Sequence, residues 1–249
     1  MLLTNCYKNI FCTTLRNFNV STSAKPFLHN YNHIRTKLLN KLLPSVIQCR
    51  NYQAQNLLDL PPLTDEQKLL WPGFINIIKN LVRYNFVIKA YMEPEFNLSE
   101  FLEGSKQALH VISHALAEEN YESIQELVSN EAINEIRGRI SSLTAEQKQL
   151  IAVNKNDIYV IFPHLIGIMF DENRAEQKFV EITVVYHSLR GLRNELDRHD
   201  DIKMNIQNYP EYAQRSFVSN YRFIREFTKG VESSWTVNKI NHFMTKSAA

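Results

Sequence analysis

Apolar residues recur every three to four positions between about residue 64 and residue 150, and every two positions after about residue 155. The change of period divides the chain into a helical part and a strand part. Asn97, with Glu100 three residues on, predicts the start of a long helix. Along it Leu98, Phe101, Leu102, Ser105, Leu109, Ile112 and Leu116 mark one buried face. Ser123 to Glu126 predicts a short helix carrying Ile124, Leu127 and Val128, and Ala132, Ile133, Ile136, Ile140 and Leu143 continue the helical period. Thr144 and Gln147 have capping-box spacing, as do Thr64 and Gln67 upstream. A helix from Thr64 would end or restart at Pro72.

The segment from Phe74 to Tyr91 is less ordinary. Phe74, Ile77, Ile78, Leu81 and Val82 form a bulky apolar stripe, and Lys79, Arg83 and Lys89 are its charges. It carries too much charge to span a bilayer. Two readings fit: an interfacial or partner-binding helix, with Phe74, Ile77, Ile78 and Leu81 in contact and Lys79 and Arg83 toward lipid phosphates, or a core helix.

In the second half Ile158, Val160 and Phe162 alternate with other residues up to a break expected at Pro163. Leu165 to Phe170 forms a second run, closed by the turn-like Asp171-Glu172-Asn173. Lys178 to Arg190 is a long β-branched strand, and Ile202, Met204 and Ile206 alternate in another. Phe217, Tyr221, Phe223 and Phe227 line one more, and Trp235 to Phe243 forms the last. Helices followed by a strand meander predict an α+β domain with N-terminal helices packed on a curved antiparallel sheet. Such a sheet wrapped around a helix leaves a conical pocket, with Tyr186, Phe217, Tyr221 and Phe223 as its aromatic wall or as filled core.

Charge separates the first 52 residues from the rest. No acidic residue precedes Asp59, while Lys8, Arg16, Lys25, Arg35, Lys37, Lys41 and Arg50 do. That composition predicts a mitochondrial transit peptide over residues 1–52, with Arg50-Asn51-Tyr52 as the peptidase site. A basic arm for RNA or anionic lipid is the alternative. Residues 53–73 are then a linker and short helix, and 74–245 the domain. Of 28 Lys and Arg against 26 Asp and Glu, those seven belong to the leader, so the remainder carries 21 against 26. An acidic domain is poorly suited to sequence-independent nucleic-acid binding, and no DNA partner is expected. Cys6, Cys12 and Cys49 all lie in the leader, which removes thiolate chemistry and disulfides from the mature chain.

Other reactive groups do not assemble into a site. His110, His114 and Glu118 can share a helix face, but zinc needs more ligands and an oriented outer shell. His187 is a lone strand histidine without an identified partner for acid–base work. Asp197-Arg198-His199-Asp200-Asp201 reads as a solvated turn. With no phosphate loop, nucleophile elbow or dinucleotide fingerprint, no catalytic residue, metal or cofactor is assigned, and the expectation is a non-enzyme.

Two runs carry a family resemblance. Residues Tyr91 to Ala108 read Tyr-Met-Glu-Pro-Glu-Phe-Asn-Leu-Ser-Glu-Phe-Leu-Glu-Gly-Ser-Lys-Gln-Ala, and residues Arg225 to Val237 read Arg-Glu-Phe-Thr-Lys-Gly-Val-Glu-Ser-Ser-Trp-Thr-Val. Both resemble the matrix-side m-AAA protease-interacting protein family, a relative of the C-terminal domain of the import motor's membrane anchor and of inner-membrane ribosome receptors. The resemblance implies a cone-shaped domain of the nuclear-transport-factor type. It implies a non-enzymatic matrix factor, peripheral to the inner membrane, that binds the m-AAA protease; contact with anionic lipid is expected from the Phe74–Tyr91 helix and not from the resemblance. Its clients would be newly imported inner-membrane proteins such as the regulator subunit of the calcium uniporter, which it sorts or protects. A mitoribosome-linked membrane receptor is the alternative the same resemblance allows, and a pocket enzyme a third. Val153 to Gln214 carries no motif of the family.

Overall fold

A computed structural model describes residues 60–170, 177–196 and 210–245, which fall within one compact unit, Leu57–Ala249. Helix α1 (Phe74–Val82) continues as a π-type winding over Arg83–Met92. After it come α2 (Leu98–Ala117), α3 (Asn130–Ile140) and α4 (Ala145–Ile151). Strands β1 (Ile158–Phe170), β2 (Lys178–Leu189), β3 (Ser216–Glu226) and β4 (Thr236–Met244) form one antiparallel sheet in the order β1-β2-β3-β4. A short helix α5 (Leu192–Leu196) follows β2. The fold is therefore α+β, as the change of period predicts. The expected cleavage site Arg50-Asn51-Tyr52, the turn at 171–173, the 197–201 cluster and the strand through 202–206 lie outside the described residues.

Local signals set the helix starts. Asn97 caps α2 by accepting from the Ser99 amide, Ser129 caps α3, and Thr144 with Gln147 closes a complete capping box on α4. The apolar face of α2, with Leu102, Leu109, Ile112 and Leu116 buried, packs on the inner face of the sheet. There Val180, Ile182, Val184 and Tyr186 of β2 meet Tyr221 and Phe223 of β3 and Ile240 of β4. Period-two alternation sends the intervening residues to the other face.

That other face is covered as well. Phe162, Val185, Val218 and Phe243 form a second buried cluster against Leu69. The cover is residues 60–72, an extended strap running across the strands. Asn241 of β4 accepts from the Leu63 and Thr64 amides through Oδ1 and donates to the carbonyls of Thr64 and Glu66. Asn220 of β3 exchanges two bonds with Leu69, and His187 of β2 binds the Leu70 carbonyl at 2.9 Å. Trp71 then stacks on His187, ring centroids 4.4 Å apart, and on Phe162. Each mid-strand polar side chain satisfies a strap backbone group that would otherwise be buried without a partner.

Two expectations are corrected here. The helix predicted from Thr64 does not form, because the Thr64 hydroxyl is spent on the edge of β4. It donates to the Ile240 carbonyl and accepts from the Ile240 amide. The strap packs instead on the outer face of the sheet. Pro163 does not break the first strand either. β1 is an edge strand, and the register shifts between Pro163 and Leu165, a bulge that accommodates the missing amide.

Candidate partner-binding surface

Helix α1 is strongly amphipathic, yet Asn80 is its one buried residue. The Asn80 amide nitrogen donates to the Pro163 and His164 carbonyls, and its oxygen accepts from the Ile166 amide at 2.8 Å. These bonds fill the gap that the β1 bulge leaves in the ladder. Arg83 adds a bond to the Ile166 carbonyl. Farther along, Tyr84 meets Phe96 edge-on and Ile88 enters the main core. The helix is thus held to β1 by polar contacts, which leaves much of its apolar surface outside.

Ile75, Leu81 and Phe86 are 66%, 62% and 68% exposed, and Phe74, Ile78 and Val82 are exposed too. On the same segment or directly before it, Leu70, Trp71 and Tyr91 are exposed, as are Leu165, Met169 and Phe170 on the strand beneath. Isolated exposed apolar residues are common, but a run of this extent on one helix and its supporting strand makes this face the candidate interaction surface. Of the residues singled out in sequence, Phe74, Ile78, Lys79 and Leu81 face solvent, while Ile77 and Arg83 are half-buried. Ile75 and Phe86, two of the most exposed, fall outside the stripe that the three-to-four spacing picks out from Phe74 to Val82.

The four cone aromatics separate. Tyr186 and Tyr221 are fully buried: the Tyr186 hydroxyl donates to the Ser105 carbonyl, and the Tyr221 hydroxyl meets His242 Nε2 at 3.1 Å. Phe217 is buried beneath the Arg190 guanidinium, away from the main core cluster. Phe223 is buried and borders an open groove of about 350 Å³ lined by Phe96, Phe101 and Trp235 with Glu93, Glu95 and Glu100.

His110, His187 and His242 make structural contacts. His110 Nδ1 lies 3.1 Å from the Val153 carbonyl, and its ring sits edge-on to His114 at 4.4 Å. A carbonyl only accepts, so that nitrogen carries the proton. His187 is buried, which lowers its pKa, while the bond to Leu70 opposes the shift. His242 lies between Ser219 and Tyr221, and burial pulls its pKa to about 3. All three side chains of that chain are buried, which makes the hydroxyl–imidazole contacts hydrogen bonds within the core. Among the described residues, no group of three or more His, Cys, Asp or Glu is placed to hold a metal. No helix among them is long and apolar enough to cross a membrane.

No family model matches the chain. It is similar to curated proteins named m-AAA protease-interacting protein 1, mitochondrial. Identity to the one from Bos taurus is 30%, over 80% of this chain and 69% of that protein. Identity to the one from Homo sapiens is 30% and to that from Rattus norvegicus 29%, each over 78% of this chain and 66% of the relative. The chain therefore spans about two thirds of the length of these relatives.

Proposed function

The chain belongs to the family of m-AAA protease-interacting protein 1, and from that premise we propose that it binds the m-AAA protease in mitochondria through the exposed face of α1. The observation that carries the reading is the direction of that helix. A helix held by Asn80 and Arg83 keeps Ile75, Ile78, Leu81 and Phe86 outward, where burial against a partner removes them from water. In this reading the acid-free first 52 residues are the import address, with cleavage at Arg50-Asn51-Tyr52. The mature protein is a non-catalytic matrix factor at the inner membrane. Its clients are newly imported inner-membrane proteins, the regulator subunit of the calcium uniporter among them, which it keeps from premature degradation or helps to sort.

Lipid contact is secondary. Arg83, expected to face phosphate groups, is bonded to the Ile166 carbonyl, which leaves Lys79 and Lys89 as the exposed cations of this segment. The ribosome-receptor alternative asks for a basic stripe. Arg139, Lys148, Arg222, Arg225 and Lys239 are each paired with a carboxylate, which favours the protease reading.

The test is affinity purification of the tagged protein from gently solubilised mitochondria, followed by mass spectrometry. Recovery of m-AAA subunits together with small inner-membrane proteins is the expected result. Large-subunit ribosomal proteins without the protease would overturn it.

A further inference from the structure

We propose that the groove between the start of α2 and strands β3 and β4 receives an arginine or lysine side chain presented by an extended, basic polypeptide segment. The site lies apart from the α1 face and does not depend on the protease reading. Its floor is aromatic. Phe101 lies 4.8 Å from Trp235 and 5.4 Å from Phe223 between ring centroids, and Phe96 lies about 6 Å from both Phe101 and Trp235. Its rim holds Glu93, Glu95 and Glu100, and none of its lining residues is Lys, Arg or His.

Aromatic faces below and carboxylates above are the two groups that attract a cation with an apolar stem. The ring quadrupole and the carboxylate take the charge, and the rings cover the methylenes. A neutral or acidic segment gains neither term. The fold itself supplies a precedent. The Arg225 guanidinium sits 4.7 Å from the Phe227 ring and 6.0 Å from the Trp235 ring, and bonds Glu93 at 3.0 Å. One guanidinium is therefore already held at this aromatic group by ring faces plus a carboxylate.

The other two carboxylates are differently engaged. Glu100 accepts from the Asn97 side chain in the first turn of α2, where the helix dipole also favours it. Glu95 is exposed and has no ion pair among the described residues. A cation entering the groove gains Glu95 outright and shares Glu100. At about 350 Å³ and open to solvent, the space admits a long side chain still attached to its backbone, and lies at the small end of ligand sites.

Trp235 reports occupancy directly. In the full chain carrying Trp71→Phe, Trp235 is the one remaining tryptophan. Titration with N-acetylated tetra-arginine should change its emission saturably. Tetra-citrulline, the same shape without charge, should bind at least about tenfold more weakly. The double variant Glu95→Gln, Glu100→Gln keeps hydrogen-bonding capacity and should lose about tenfold in affinity for tetra-arginine, while the lost dipole interaction of Glu100 lowers the melting temperature by no more than a few degrees. Equal binding of tetra-citrulline, or an unaltered affinity in the double variant, would overturn the assignment. Spermidine binding as tightly as tetra-arginine would overturn the choice of a polypeptide ligand.

Discussion

Helices α1 and α2 have the same kind of sequence, an apolar stripe at helical spacing, and opposite fates. α2 turns Leu102, Leu109, Ile112 and Leu116 into the core. α1 turns one asparagine inward and leaves Ile75 and Leu81 in water, as the winding that continues it leaves Phe86. Periodicity establishes that a helix has two faces; what decides which face is buried is the surface it meets. α2 meets the aliphatic inner face of the sheet. α1 meets a bulged edge strand whose free backbone groups at Pro163, His164 and Ile166 are matched by an amide side chain. The comparison teaches that a polar residue in the middle of an amphipathic helix can be the anchor, and the apolar stripe the free surface.

Substituting inside each helix should break the symmetry. Leu109→Ala or Ile112→Ala in α2 leaves a cavity in the main core and should cost about 2–5 kcal/mol in chemical denaturation. Asn80→Ala in α1 should cost less, about 1–3 kcal/mol, by leaving the Ile166 amide and two carbonyls without their partner. Its signature is local: hydrogen exchange should accelerate over residues 74–92 while α2 stays protected. If Asn80→Ala left exchange over α1 unchanged, the polar anchor would be wrong.

A pH series sharpens the same contrast for the sheet's buried imidazoles. The folded pKa of His242 is about 3, below the ordinary value near 6.5, and burial lowers that of His187 as well. The unfolded chain therefore binds protons that the folded chain refuses, and stability falls as pH drops below about 6.5. His242 alone contributes about 1.4 kcal/mol per pH unit once the unfolded histidine is fully protonated and until its folded pKa is approached. His242→Gln should flatten the slope of unfolding free energy between pH 6.5 and about 5. An unaltered slope would remove His242 from the account.

The smallest effect on stability belongs to the exposed stripe. Ile75→Ser, Leu81→Ser and Phe86→Ser should each change it by no more than about 0.5 kcal/mol. A loss comparable to that of Leu109→Ala would show that the stripe is core after all.

The parts of the fold legible in sequence are those fixed locally. The caps at Asn97 and Thr144 and the alternation in β2, β3 and β4 act over a few residues and form as their spacing predicts. What escaped depends on distant partners. Thr64 has the spacing of a cap, but its hydroxyl is engaged 176 residues away at Ile240. The strap left a trace nonetheless: Asn220, Asn241 and His187 are polar residues in mid-strand on the face opposite the core, among the apolar Phe162, Val185, Val218 and Phe243. Buried polar side chains at such positions signal a backbone laid across them. The candidate partner surface is half legible. The stripe is legible in Phe74, Ile78 and Leu81, whereas its outward direction depends on which helix residue meets the irregularity at Pro163; the proline announces the irregularity but not its partner Asn80.

The central claim is that the outward face of α1 engages the m-AAA protease. The most direct measurement is quantitative co-purification of the protease from mitochondria with the wild-type chain and with the triple variant Ile75→Ser, Leu81→Ser, Phe86→Ser, at equal import and equal melting temperature. The account predicts that the variant folds and is imported but loses the protease. Recovery of the protease in undiminished amount by the triple variant would contradict it and move the interface elsewhere on the domain.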